Sequence, residues 1–259
     1  MDPVPPMTVV VVGGGVFGLT AAIELRRRGH RVRLLDPGPL PHPLAASTDI
    51  SKVIRMEYGP DEAYMALAER AREGWLRWNA EGRAQGREPL YHETGVLMIR
   101  RSPLQPGDYE YESWALLRKR GHTPQRMNAS TIVARFPAWQ RARYLDGFFH
   151  AKGGYAESGR VIEALARQAA REGVELMAGR KAASLVEKRG QLSAVRSDDG
   201  TELAAEHVLV AAGAWTVKLV PELASAIRPT GHPVFHLKPR DPDPFRAERF
   251  PVFTADIAR

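Results

Sequence analysis

The segment from Thr8 to Asp36 constrains the fold more than any other. Thr8-Val-Val-Val-Val12 is a continuous β-branched run, the pattern of a strand buried on both faces of a parallel sheet. Gly13-Gly-Gly-Val-Phe-Gly18 follows. A helix is expected from there to Arg28, with Leu19, Ala22, Ile23 and Arg26 at helical spacing and Gly29 as its stop. Residues 32–36 read as a second strand, which completes a βαβ unit. Gly13, Gly15 and Gly18 occupy the positions of G-x-G-x-x-G, and Asp36 ends the second strand. In that context the first glycine makes the turn, the second admits a pyrophosphate to the backbone, and the third lets helix and strand pack closely. Phosphates would rest on the helix N-terminus, where free N–H groups and the dipole favour anions. Asp36 would accept hydrogen bonds from ribose hydroxyls and repel a 2′-phosphate. The pattern predicts a dinucleotide and leaves FAD and NAD open.

The rest of the chain separates the two. A nicotinamide-type doubly wound domain continues at once with further βαβ units. Here residues 37–43 are a proline-rich loop, and 61–81 are expected to form a long helix. Tyr64, Leu67, Ala68, Ala71, Trp75 and Trp78 would lie on one face of it, the two tryptophans serving as core packing. A strand at 95–100 and helices at 109–120 and 158–172 follow. Strands are expected at 174–178, 183–188, 192–196 and 207–211, with turns at Lys188-Arg-Gly190 and Asp198-Asp-Gly200. His207-Val-Leu-Val-Ala-Ala-Gly213-Ala-Trp215 is a second apolar strand running into a glycine turn. It would return the chain to the first sheet beside the cofactor, as in flavoproteins of two-dinucleotide fold. Residues 251–259 read as a strand with nothing after it, so the expectation is a chain truncated at its C-terminus.

Composition narrows the function classes. The chain has 259 residues, 44% hydrophobic and 26% charged, which suits a globular protein of one large domain or two smaller ones. It has no cysteine, which excludes thiol catalysis, Cys-ligated zinc and a cysteinyl link to a cofactor from this chain. The net charge of +7 comes from 30 Arg and 7 Lys scattered from Arg26 to Arg259. The one tight run, Arg26-Arg27-Arg28, ends the first helix, where cations favour the macrodipole. No basic stripe alternates with aromatics, so nucleic acid is not an expected partner. No signal-like leader or run of ~20 apolar residues is present, so the expectation is a cytoplasmic protein without a membrane partner. His232-x-x-x-His236 sets two imidazoles on one face of a supposed strand but has no third ligand nearby, so no metal is expected.

The residues resemble the glycine/D-amino acid oxidase (DAO) family of FAD oxidoreductases, in its monomeric sarcosine oxidase and fructosyl amino acid oxidase branch. The resemblance runs from about Met7 to Arg259. It rests on Val11–Gly18, Asp49-Ile-Ser-Lys-Val-Ile-Arg55, Gly153-Gly-Tyr155, Val210-Ala-Ala-Gly-Ala-Trp215 and Arg228-Pro-Thr-Gly231. It implies that Ser51 and Lys52 contact the flavin and that Arg55 binds the substrate carboxylate. An Arg fork pairs bidentately with a carboxylate, and a cation at Lys52 would favour negative charge on the flavin. Gly213 and Trp215 lie in the second glycine turn, and Ala182 stands where a valine usually packs on the adenine side through its backbone. Thr48 stands where sarcosine oxidases commonly carry a histidine, which points to a different substrate preference. The resemblance also implies that a C-terminal portion beyond Arg259 supplies an oxygen-activating lysine, a cysteine that anchors FAD in many members, and the last flavin-binding strands.

The implied fold is α/β: a discontinuous Rossmann-like FAD-binding domain, 7–90 with 149–227, and a β-rich substrate domain, 91–148 with 228–259. The implied reaction is oxidation of the C–N bond of a secondary amine or N-substituted, sarcosine-like amino acid to an imine. The flavin accepts a hydride equivalent, and oxygen restores it with release of peroxide. FAD would be bound non-covalently, the partner would be the small-molecule amine, and the protein would act as a monomer or homo-oligomer. A fructosyl-amine oxidase or amino acid dehydrogenase on the same scaffold is the alternative, and a non-catalytic dinucleotide-binding fragment is another.

Overall fold

The computed structural model describes residues 5–139 and 143–256. In chain order, the first elements are β1 (Thr8–Val12), α1 (Val16–Arg27), β2 (Arg31–Asp36), β3 (Lys52–Ile54), α2 (Glu62–Ala84) and β4 (Tyr91–His92). Then come β5 (Val96–Arg100), α3 (Tyr109–Lys119), β6 (Gln125–Asn128), α4 (Ala129–Arg135), β7 (Asp146–His150) and β8 (Gly154–Ala156). The last are α5 (Ser158–Arg171), β9 (Glu175–Ala178), β10 (Ala182–Lys188), β11 (Gln191–Ser197), β12 (Glu202–Ala204), β13 (His207–Val210), α6 (Thr216–Leu219) and β14 (Val252–Ala255). The chain divides into two compact units, Met1–Ile50 with Glu157–Val234, and Ser51–Ala156 with Phe235–Arg259.

The first unit is built on a parallel sheet in the order β13-β1-β2-β9. Val9 to Val12 are buried, as a strand covered on both faces requires. Helix α1 buries Leu19, Ala22 and Ile23 and packs with α5, whose Val161, Ile162, Leu165 and Ala169 form its buried stripe. The Arg26–Arg28 run is absorbed here. Arg26 donates to the carbonyls of His30 and Glu172, and Arg27 makes a bidentate pair with the Glu172 carboxylate at 2.9 and 2.8 Å. A three-stranded antiparallel sheet, β10-β11-β12, completes the unit. Its first hairpin turns on Arg189 and Gly190, both at positive φ, as a two-residue turn between twisted strands demands.

The second unit contains the sheet β14-β5-β7-β6, in which β14 runs parallel to β5 and the other pairs are antiparallel. Strand β5 is buried on both faces, so its alternation feeds two cores. Val96 and Met98 join Met56, Met65, Leu117 and Phe148 on one side, while Leu97 and Ile99 join Met127, Ile132 and Phe149 on the other. A second sheet, β3-β8-β4, carries Lys52 opposite Ala156.

The structure differs from the sequence expectations at several points. Residues 51–90 and 149–156, expected with the dinucleotide domain, pack in the second unit, because β3 and β4 pair with β8 and Met65 of α2 enters the Val96–Phe148 core. Residues 228–234 fall in the first unit. The buried face of α2 is Met65, Asn79 and Gly82, with Tyr64 and Leu67 exposed at 52% and 61%. Trp75 and Trp78 are half-buried, their rings 5.6 Å apart. Residues 232–236 form no strand, so His232 and His236 do not share a strand face. Strands β4, β6, β7, β8 and β12 were not expected at all. The end of the expected last strand, residues 257–259, lies outside the described residues.

Candidate dinucleotide and carboxylate sites

In the first unit the glycine loop leaves β1 at the carboxyl end of the sheet, where β2 and β13 lie on opposite sides of β1. Such a reversal of strand order is where open α/β sheets bind ligands. Gly13 has φ +108°, and a Cβ there would stand 2.4 Å from the Ala211 carbonyl oxygen, in the turn that leaves β13. A Cβ on Gly18 would stand 1.8 Å from the Gly13 carbonyl oxygen, so the close approach of α1 to the loop needs glycine. Gly15 starts α1 without a side-chain cap, and the Val16 N–H donates to Ser47 Oγ at 3.1 Å.

Asp36 is buried at the end of β2. Its carboxylate accepts from the Gly14 N–H at 2.8 Å and from the Gly38 N–H at 3.0 Å. The structure therefore brings Gly13, Gly15, Gly18 and Asp36 together. Each Asp36 oxygen retains a lone pair beyond its loop contact. Gly213 (φ +52°) opens a single 3-10 turn over Gly213–Trp215, and the Trp215 ring lies 6.3 Å from His42. Ala182 begins β10 and packs against the cluster of Val10, Val12 and Leu35, the apolar face behind the glycine loop. Thr48 Oγ1 is buried with no hydrogen-bond partner among the described residues. These features fit a dinucleotide: Gly13 and Gly18 positions that leave no room for a Cβ, a helix start where only the Val16 N–H has a side-chain partner among the described residues, and an acceptor at the end of β2.

In the second unit, Ser51 is exposed and Lys52 begins β3. Strand β3 ends at Ile54, and Arg55 leaves it to lie among tyrosines. Its guanidinium carbon stands 4.4 Å from the centre of the Tyr58 ring and 6.0 Å from that of Tyr109. Its Nη1 donates to Tyr109 Oη at 3.2 Å, and the Tyr109 hydroxyl donates to the Glu57 carbonyl at 3.0 Å. Among the described residues no carboxylate pairs with Arg55. Burial raises the Tyr58 pKa, and the Arg55 charge opposes the rise, so Tyr58 stays a neutral face for the cation. Ser47, Tyr58 and Tyr109 were missed in the sequence. Tyr58 follows Arg55 by three residues, whereas Tyr109 comes from α3, more than fifty residues away, and left no local signal.

No described helix is long and apolar enough to cross a membrane. Among the described residues, no group of three or more His, Cys, Asp or Glu could hold a metal ion.

N-methyl-L-tryptophan oxidase of Citrobacter koseri is 27% identical over 257 residues, covering 96% of this chain and 64% of the relative. L-saccharopine oxidase of Schizosaccharomyces pombe is 28% identical, covering 97% and 61%. The chain thus spans just under two thirds of the length of these curated relatives. Among solved structures, the Tyr258Phe mutant of NikD, an unusual amino acid oxidase essential for nikkomycin biosynthesis, superposes with a TM-score of 0.72 at 26% identity. The match covers 85% of this chain and 54% of that one. Glycine oxidase from Geobacillus kaustophilus shares the fold, with a TM-score of 0.72 at 22% identity over 84% of this chain and 59% of that one. The family profile described as FAD dependent oxidoreductase (DAO) matches residues 8–259, and the chain belongs to that family.

Proposed function

We propose that the chain binds FAD and serves the oxidation of a C–N bond in a secondary amine that carries a carboxylate, an N-substituted amino acid. The observation that carries this reading is the Arg55 guanidinium, held between two tyrosines with no carboxylate of its own among the described residues. A planar cation so placed is ready for a bidentate carboxylate. The relatives named for N-methyl-L-tryptophan and L-saccharopine support the substrate class.

The first unit acts as the FAD-binding domain and the second as the substrate domain. Gly13, Gly15, Gly18 and the start of α1 hold the pyrophosphate, Asp36 accepts from the ribose, and the Ala182 backbone and the Gly213–Trp215 turn flank the adenosine half. Ser51 and Lys52 contact the flavin, Lys52 supplying positive charge beside it. When bound, FAD supplies the two-electron acceptor. Arg55 orients the substrate through its carboxylate, so that the C–N bond is presented in one geometry. The chain offers no cysteine for a thioether to the flavin, and we infer that it holds FAD non-covalently.

The test is titration of the purified chain with FAD, followed by quenching of flavin fluorescence, and acid precipitation of the loaded protein. Saturable binding with all flavin in the acid supernatant is the expected result. A folded chain that retains only NAD would refute the FAD reading, and flavin in the washed pellet would refute non-covalent binding.

A further inference from the structure

Two residues beyond Arg55 lies a buried pair to which the proposed function gives no role. Glu57 is fully buried, and its Oε1 meets His150 Nδ1 at 2.7 Å. Its Oε2 accepts from the Met56 N–H at 3.0 Å, so the carboxylate closes back on the backbone that leads from Arg55. His150 is the last residue of β7, 2% exposed, and its Nε2 has no partner among the described residues. The bond to Glu57 is thus the hydrogen bond that orients the ring. The neighbouring His122 ring meets it edge to face at 5.2 Å and bonds elsewhere, to Glu69 at 2.8 Å.

Such a pair is a weak source of stability. Removing both groups from water offsets their attraction, and apolar residues of similar volume often do as well. Its geometry offers more. From the rigid end of β7, the restraint passes from His150 to the Glu57 carboxylate. The Glu57 carbonyl accepts from the Tyr109 hydroxyl, and that hydroxyl accepts from Arg55.

We propose that Glu57 and His150 are positioning residues for Arg55: the buried pair ties the 55–58 segment to β7 and, through Tyr109, fixes the guanidinium over Tyr58. This rests on the reading of Arg55 as the carboxylate site. An Arg held at two points loses less freedom on binding and presents its fork in one orientation.

The test compares the 259-residue chain with His150→Leu, His150→Asn and Glu57→Gln. Asparagine places an amide donor where Nδ1 stands, and the glutamine of Glu57→Gln keeps an oxygen and adds a donor at the carboxylate position. The first readout is the rate at which phenylglyoxal modifies Arg55, followed by peptide mass spectrometry, which needs no flavin. His150→Leu should accelerate it on the order of tenfold, about 1.4 kcal/mol of lost restraint. His150→Asn and Glu57→Gln should stay within about threefold of the parent, a rescue that mere loss of core packing would not give. If His150→Leu does not fold, as judged by circular dichroism, His150→Ser serves as the pair-breaking variant. A folded pair-breaking variant with the parent's Arg55 reactivity would overturn the proposal, as would equal acceleration in all the variants. The second readout is acetate affinity of the FAD-loaded protein, with Arg55→Ala alongside. Unchanged affinity in Arg55→Ala would overturn the carboxylate reading, while the modification rates still decide whether the pair positions Arg55.

Discussion

Gly18→Ala puts the dinucleotide cradle to its most direct test. The new Cβ would stand 1.8 Å from the Gly13 carbonyl oxygen, 3.0 Å from its carbon and 3.4 Å from Val11 Cγ1. Ordinary contact lies near ~3.5 Å, so α1 and the loop must separate by well over ~1 Å. The obstacle is backbone and cannot rotate away, which places the cost at the upper end of overpacking, about 3 kcal/mol. Alanine returns roughly 1 kcal/mol through helix propensity. The net loss is about 2 kcal/mol, a fall of about 4–8 °C in Tm for a chain of this size. The displaced loop is the one proposed to hold the pyrophosphate, so FAD affinity should fall with it. Gly74→Ala in α2 is the control, its nearest neighbour being the tip of Arg77 at 3.9 Å. The same substitution there should gain about 0.5–1 kcal/mol. Thermal melts followed by circular dichroism and FAD titrations of both variants decide the matter. A Gly18→Ala protein within ~0.5 kcal/mol of the parent and with unchanged FAD affinity would refute the reasoning.

Arg55→Ala in the FAD-loaded protein should weaken acetate binding by roughly one to three orders of magnitude, at ~1.4 kcal/mol per tenfold, while flavin content stays constant. Loss of flavin instead would reassign Arg55 to the cofactor. Asn79→Ala removes a buried amide that donates to the Tyr91 carbonyl at 2.7 Å and accepts from the Leu90 and Tyr91 N–H groups at 3.1 and 3.3 Å. A loss of about 1–3 kcal/mol is expected in urea unfolding, and no loss would mean that the end of α2 does not depend on this bracket. Glu69 bonds to Arg120 and His122, and the Arg120 hydrogen bond above all pulls its pKa from 4.5 to about 2. A depressed carboxyl pKa contributes stability above 4.5 that is lost as pH falls towards 2, so Glu69→Gln should narrow the gap to the parent across that window. A gap that stays constant from pH 6 to pH 2 would contradict this.

The glycine loop, α1, β2 and Asp36 were legible because their signals are local. A β-branched run, three glycines at fixed spacing and an apolar stripe at helical period each specify a conformation within a few residues. The hairpin at Arg189 and Gly190 was legible for the same reason, since its twist demands positive φ at both positions. The return of β13 to pair with β1 could also be anticipated, because an apolar strand ending in a glycine turn has few other places to be buried.

What the sequence did not decide depends on partners far along the chain. The buried face of α2 is set by the core that Val96, Met98 and Phe148 build around Met65, and its own periodicity points as well to Tyr64 and Leu67. Residues 51–90 read as a continuation of the dinucleotide domain until β8 supplies the strand that pairs β3 and β4 in the other unit. Arg55 was singled out from a motif, but its tyrosine cradle and the Glu57–His150 pair join residues 54 and 93 positions apart. Periodicity and turn chemistry act over one or two turns of chain. Hydrogen bonds across such separations form only when packing has already brought the elements together, so they belong to the tertiary structure alone.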